Sequence, residues 1–332
     1  MRPHIMISPA ELRGLMARCA GAGRPPASFS VIDDTSDFHR IERDDVLILD
    51  GTPFWVRNFE REGRFGLDDE PKYWVRRAID LTDGSIKVLK FEFREEFETQ
   101  IGDLVIRRFR SPRKEARILD LVRAHPNFMH GRWVNDAAGN NVRILEFIRG
   151  RRFDEIVAEL GGDHHDYFHR HFPEVLGQFV ELALAIKHLH DRGEKHGDIR
   201  RDHIIRDRER GTNRWIDFDY DYVHGESLFS FDLQGLGNVL IFLVGRGDAL
   251  VPELRREQPA VLATLAPEDL NISFRNRVAN LRKIHPYVPE SLNRVLLHFS
   301  AGAQLFYDSV DQILEDLAVA AADVAAATGR RA

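Results

Sequence analysis

Apolar positions change their rhythm along this chain. From Val46 they alternate with polar ones in short runs: VLIL, then PFWVRNF after the Asp50–Gly51 turn, KYWVRRAID, and SIKVLKFEF after the Asp83–Gly84 turn. A period of two in runs broken by Asp-Gly predicts strands joined into an antiparallel sheet. Between the second and third runs, EREGRFGLDDE reads as a polar loop. Ser111 and Pro112 give an N-cap and first turn for a helix through KEARILDLVRAHPNF, and VRILEFI returns to strand before Arg149 and Gly150. Beyond that point the period becomes helical. Val175, Phe179, Leu182, Ile186 and Leu189 recur at steps of three and four until Gly193, and Leu233, Leu236, Leu240 and Leu243 mark a second apolar helix. Helices continue to about Leu317, and an Ala-rich tail follows. Before the strands, a short helix capped by Ser8 and Pro9 leads into a Gly/Pro/Ala stretch from Gly21 to Ala27. The pattern predicts an α+β chain: an N-terminal extension over residues 1–45, a small antiparallel β-rich lobe over 46–148, and a larger helical lobe over 149–332.

Composition narrows the setting. With 332 residues, 43% apolar and 30% charged, the chain can bury a substantial core. A net charge of −6 offers no general attraction to nucleic acid or anionic lipid. The single cysteine, Cys19, forms no internal disulfide framework and fits a reducing compartment, so a cytoplasmic location is expected. The N-terminus lacks the apolar core of a secretory signal, and Val239–Val244 is too short to span a bilayer. The histidines of GGDHHDYFHRHF include a pair, His165 and His169, at helical spacing, but no Cys or HExxH context accompanies them, and a solvated His-rich helix is expected.

The chemistry concentrates between Lys195 and Asp219, in KHGDIRRDHIIRDRERGTNRWIDFD. Asp198 follows His196 and Gly197 in a polar turn, and Asp217 ends an apolar strand-like run, so two carboxylates face one another across a hairpin-like segment. One carboxylate can orient and deprotonate a hydroxyl while the other holds a divalent cation against nucleotide phosphates.

At these residues the chain resembles the protein-kinase-like phosphotransferases, in an atypical bacterial form. HGDIRRDHI matches the catalytic loop, and Ile216, Asp217, Phe218 and Asp219 match the metal-binding DFG or DFD element. The resemblance implies a two-lobed fold that moves the γ-phosphate of ATP to a hydroxyl acceptor. It makes Asp198 the base and Asp217 with His203 the ligands of Mg²⁺ or Mn²⁺. His203 stands where the family usually has Asn, as it does in some sugar kinases of the superfamily. Arg200 occupies the place of the γ-phosphate lysine. Lys90, in VLKF, would anchor the phosphates with Val88 against adenine. Glu115, an acid on the apolar face of Ile118, Leu119 and Val122, would pair with Lys90, and His125, Pro126 and Asn127 match the family's HPN turn. Backbone groups of Glu146 and Ile148 would meet adenine behind Leu145. Gly63 and Gly66 fall where the family has its glycine-rich phosphate cover, although the pattern is half complete and an ordinary surface turn is the other reading.

The acceptor stays open between two classes. Asp217 is followed almost directly by Asp232 and its helix, without a long activation segment, which favours a sugar or other small hydroxyl; Arg200 and the HPN turn favour a protein hydroxyl. A reading from another class is a pseudokinase that binds nucleotide or acts as an interaction module, supported by His203 and the thin glycine loop. Against it stands the joint presence of Lys90, Glu115, Asp198 and Asp217.

Overall fold

A computed structural model describes residues 7–20, 24–64, 67–101, 104–223 and 228–329. The chain is α+β, as the pattern predicts, and divides into two compact units. The first comprises Met1–Glu95, Arg110–Ala124 and Met129–Ile148; the second comprises Glu96–Phe109, His125–Phe128 and Arg149–Ala332.

In the first unit, seven of the described strands form one sheet in the order β1-β2-β3-β4-β5-β9-β8. These are β1 (Val31–Ile32), β2 (Val46–Leu49), β3 (Thr52–Arg64), β4 (Leu67–Asp80), β5 (Ile86–Lys90), β8 (Gly131–Asn135) and β9 (Asn141–Glu146). Every pairing is antiparallel except the short β1–β2 contact. Alternation sends Leu47, Leu49, Phe54, Val56, Ala78, Leu89 and Ile144 into one apolar cluster. The opposite side of β2 and β3 supplies Val46 and Trp55 to a second cluster, covered by α1 (Pro9–Cys19) through Leu12 and Met16. Both of these side chains are fully buried, each worth about 1.5–3 kcal/mol in transfer from water. Ser8 caps α1 by accepting from the Glu11 amide while the Glu11 carboxylate accepts from the Ser8 amide, which closes a capping box.

The expected polar loop at 60–70 is not one: β3 and β4 stay paired out to Arg64 opposite Leu67, with register shifts on the way. The polar composition of this stretch had concealed the strands.

The second unit carries the helices α3 (Phe153–Ala158), α4 (His164–Arg170), α5 (Phe172–His190), α6 (Ser230–Gly245), α7 (Val251–Glu257), α8 (Pro259–Leu262), α9 (Glu290–Leu297) and α10 (Val310–Ala327). Its core is the all-round apolar α6, buried from Leu233 to Val244 with few breaks, against α5 and α9. Two small sheets accompany it. One joins β10 (Gly150–Arg152), β11 (Ile204–Asp207) and β12 (Asn213–Trp215); the other joins β6 (Glu96–Ile101), β7 (Leu104–Arg110) and β13 (Tyr220–Val223). The β6–β7 hairpin and its pairing with β13 had no clear signature in the sequence. Among the described residues no helix is long and apolar enough to cross a membrane.

Of the α4 histidines, His165 is exposed as expected, and His164 departs from a solvated face. His164 is half-buried, with Nδ1 2.7 Å from the Tyr287 hydroxyl and Nε2 2.9 Å from the Val244 carbonyl, and its ring stacks on His285 at 3.5 Å.

Candidate active site

In the first unit, β-sheet register and one helix assemble a buried charge cluster. β5 and β9 pair so that Val88 lies opposite Leu145 and Lys90 opposite Arg143. Two cations directly across a strand pair repel, so the arrangement needs an anion between them. Glu115 supplies it. This residue lies on the inward face of α2 (Pro112–Leu121), whose N-cap Ser111 and first-turn Pro112 fix where the helix begins. Lys90 Nζ donates to Glu115 Oε1 at 2.8 Å and Arg143 Nε donates to Oε2 at 3.0 Å, with Glu115 fully buried. Arg143 also donates to the carbonyls of Asn141 and Phe91, at 2.8 and 3.1 Å. The expected Lys90–Glu115 pair is therefore present in this unit, with a second cation that sequence reasoning missed. Its trace was a lone arginine inside the apolar run VRILEFI.

Glu146 closes β9 and its amide donates to the His130 carbonyl at 2.9 Å; Ile148 follows in irregular backbone. Gly63 lies within β3, and Gly66 falls outside the described residues.

In the second unit, the loop after α5 is fastened from below by Asp232, fully buried in the first turn of α6. Its carboxylate accepts from the amides of His196 and Gly197 at 2.7 and 2.8 Å, and His190 Nε2 lies 3.1 Å away. Gly197 takes φ +83°, the left-handed region that a side chain would strain. Gly235 lets α6 approach the loop, since a Cβ there would lie 2.7 Å from that of Ile199. Asp232 was noticed in the sequence only as the start of a helix.

Asp198 and His203 are both buried, at 4% exposure, and Asp217 is partly exposed. The hairpin of β11 and β12 separates the two aspartates in sequence, with Ile204 paired to Trp215, and returns the chain so that the Ile216 amide donates to the His203 carbonyl at 3.0 Å. Asp217 then adopts φ +64°, an uncommon conformation for a residue with a side chain. Phe218 is fully buried against Phe128 and His196.

His203 links the two carboxylates. Its Nδ1 lies 2.9 Å from the Asp198 carbonyl oxygen and 3.5 Å from Asp198 Oδ2, while Nε2 lies 3.7 Å from Asp217 Oδ2. A carbonyl can only accept, so Nδ1 carries the hydrogen, and in the neutral ring Nε2 presents a lone pair toward Asp217. An imidazolium could face that carboxylate directly; a neutral ring needs a cation between them. The latter is the donor arrangement of a histidine metal ligand, with its tautomer set by the hydrogen bond behind it. Among the described residues no three His, Cys, Asp or Glu side chains gather as a metal cage. One imidazole and one carboxylate nevertheless fit a Mg²⁺ or Mn²⁺ site whose other ligands come from phosphates and water.

Two arginines complete the electrostatics. Arg108, from β7, donates to Asp198 Oδ1 at 2.6 Å and to the Gly197 carbonyl at 3.0 Å. Arg200 forms a bidentate pair with Asp202, its Nε donating at 3.0 Å. Burial alone raises the Asp198 carboxyl, but the positive charges of His203, Arg108 and Arg200 outweigh it and hold the group below the usual carboxylate range. A divalent ion held by His203 and Asp217 would add to that positive charge. Asp202 is lowered to about 2, since the charges of His203 and Arg200 overcome its burial. Asp198 therefore sits as an ionised, hydrogen-bond-accepting carboxylate, which can orient a hydroxyl and receive its proton.

No family model matches the chain, and no curated protein matches it. Among solved structures it is similar to the Cydia pomonella granulovirus kinase PK-1, with 14% identity and a TM-score of 0.46 over 73% of this chain and 89% of that one.

Proposed function

We propose that this chain is an ATP-dependent phosphotransferase that moves the γ-phosphate to a hydroxyl acceptor, either a protein serine or threonine or a sugar or other small alcohol. One observation carries the reading: His203 bridges Asp198 and Asp217, with a hydrogen-bonded Nδ1 on one side and Nε2 facing a carboxylate on the other. In the reaction, the acceptor oxygen bonds to the γ-phosphorus as the bond from that phosphorus to the β–γ bridging oxygen breaks, leaving ADP. The hydroxyl proton passes to Asp198. Asp217 and His203 would hold the divalent ion, which when bound neutralises charge on the phosphate oxygens. Lys90, fixed by Glu115, is assigned to the phosphates; Arg200 is assigned to the transferring group, and the backbone of Glu146 and Ile148 to adenine.

Calorimetric titration with ATP and Mn²⁺ tests the binding half of this proposal. Lys90→Met and Asp217→Asn are expected to weaken binding, each by at least about tenfold, the scale of one lost charge-assisted contact. Asp198→Asn should leave it within about twofold, because the base touches the acceptor and not the nucleotide. A chain that binds no ATP under any metal condition is not this enzyme.

A further inference from the structure

The β6–β7 hairpin follows Lys90 in sequence and precedes α2, yet it belongs to the second unit and pairs there with β13. From it Arg108 reaches the catalytic loop, at 7% exposure. The same nitrogen that donates to Asp198 Oδ1 also donates to the Gly197 carbonyl. Three rings wall the guanidinium, Phe97 from β6 at 5.1 Å, Tyr220 from β13 at 4.8 Å and Phe231 from α6 at 4.6 Å. Resting on the reading of Asp198 as the base, we propose that Arg108 is a positioning residue: it grips one oxygen of the Asp198 carboxylate and leaves the other turned to the acceptor hydroxyl.

The division of the carboxylate supports this. Oδ1 is taken by Arg108, whereas Oδ2 lies 3.5 Å from His203 Nδ1, whose hydrogen goes to the backbone carbonyl instead. Among the described residues no hydrogen bond reaches Oδ2, so that oxygen keeps its capacity to accept. An aspartate on a loop can rotate about χ1 and χ2, and rate falls steeply when a reacting group is misplaced by even about 1 Å. One guanidinium nitrogen shared between the side chain and the carbonyl of the preceding residue ties the carboxylate to its own backbone and limits that rotation. The aromatic walls hold the plane of the guanidinium by cation–π contact from three separate elements. An arginine meant to swing away would have to leave all three. The walls therefore favour a permanent grip over a removable cap.

The test is loss of γ-phosphate from ATP with Mn²⁺ in the full chain, comparing the parent with Arg108→Gln, Arg108→Lys and Arg108→Ala. For Arg108→Gln, kcat is expected to fall on the order of 10²-fold while KM for ATP stays within about twofold. Arg108→Lys should recover part of the loss, and added guanidinium ion should raise the turnover of Arg108→Ala. A purely structural role gives neither recovery. Should the arginine variants fail to fold, Phe97→Leu keeps the cation and loosens one wall, and a smaller fall in kcat at unchanged KM is expected. Unchanged or raised kcat in a folded Arg108→Gln overturns the inference and leaves the phosphotransferase reading intact; raised kcat would identify a cap. A parent chain that binds ATP but never turns it over overturns both assignments, Asp198 as base and Arg108 as its holder.

Discussion

His203 Nε2 faces Asp217 Oδ2 at 3.7 Å, on the side of the ring away from the Nδ1 that meets the Asp198 carbonyl. An imidazole nitrogen is a softer donor than an amide oxygen, and it suits Mn²⁺ better than Mg²⁺, which prefers oxygen in a strict octahedron. Under the proposed metal assignment, MnATP should raise the melting temperature more than MgATP, and metal-free ATP should raise it least. Substituting His203→Asn supplies an amide oxygen and should move the preference toward Mg²⁺. Thermal shifts ranked identically in the parent and the variant would remove His203 from the ligand set.

Glu115 stands between Lys90 and Arg143, and its removal leaves two buried cations on facing strands. Glu115→Gln is expected to cost about 3–5 kcal/mol, the range for breaking a buried ion pair by deleting one partner. Combining it with Lys90→Met should recover part of the loss, because one of the two facing cations is gone. Chemical denaturation measures both. A single-variant loss below about 1 kcal/mol would mean that solvent reaches this cluster.

The stacked His164–His285 pair predicts a pH dependence of its own. Burial, with the neighbouring His164 charge, lowers His285 to about 4. The unfolded chain binds that proton near 6.5 and the folded chain only near 4, so the contribution is complete above pH 6.5 and is lost as pH falls toward 4. The gap corresponds to about 3 kcal/mol before screening, of which a half-buried ring keeps about 1–2 kcal/mol. His285→Phe preserves the stack and removes the titration. Its stability measured from pH 7 to pH 4 should fall less than that of the parent, and parallel curves would contradict the assignment.

Much of this was legible in the residues. Alternation in PFWVRNF and KYWVRRAID and the helical steps through Val175 and Leu189 express burial on one face, a local signal that survives in sequence. Glu115 could be matched to a cation because an acid on an apolar helical face has to be neutralised. Arg143 could not, since which strand crosses Lys90 is a matter of register between segments far apart in the chain. The β6–β7 hairpin hid for a related reason. Its stretch EFETQI reads as polar, and its partner β13 lies beyond residue 219. With that hairpin went any sign of Arg108, whose contact with Asp198 spans ninety positions. Asp232 looked like an ordinary helix start until its carboxylate met the amides of His196 and Gly197.

Asp198 is proposed to receive the acceptor's proton during transfer from ATP. Its most direct test is the release of γ-phosphate, or its transfer to an added protein or small alcohol, by the parent and by Asp198→Asn under saturating MnATP and MgATP, with nucleotide affinity measured alongside. That role predicts turnover in the parent, a fall of at least about 10²-fold in the variant, the lower end for a removed general base, and ATP affinity within about twofold. Equal turnover in the two proteins, or nucleotide binding without turnover in the parent for every acceptor and metal, would contradict it.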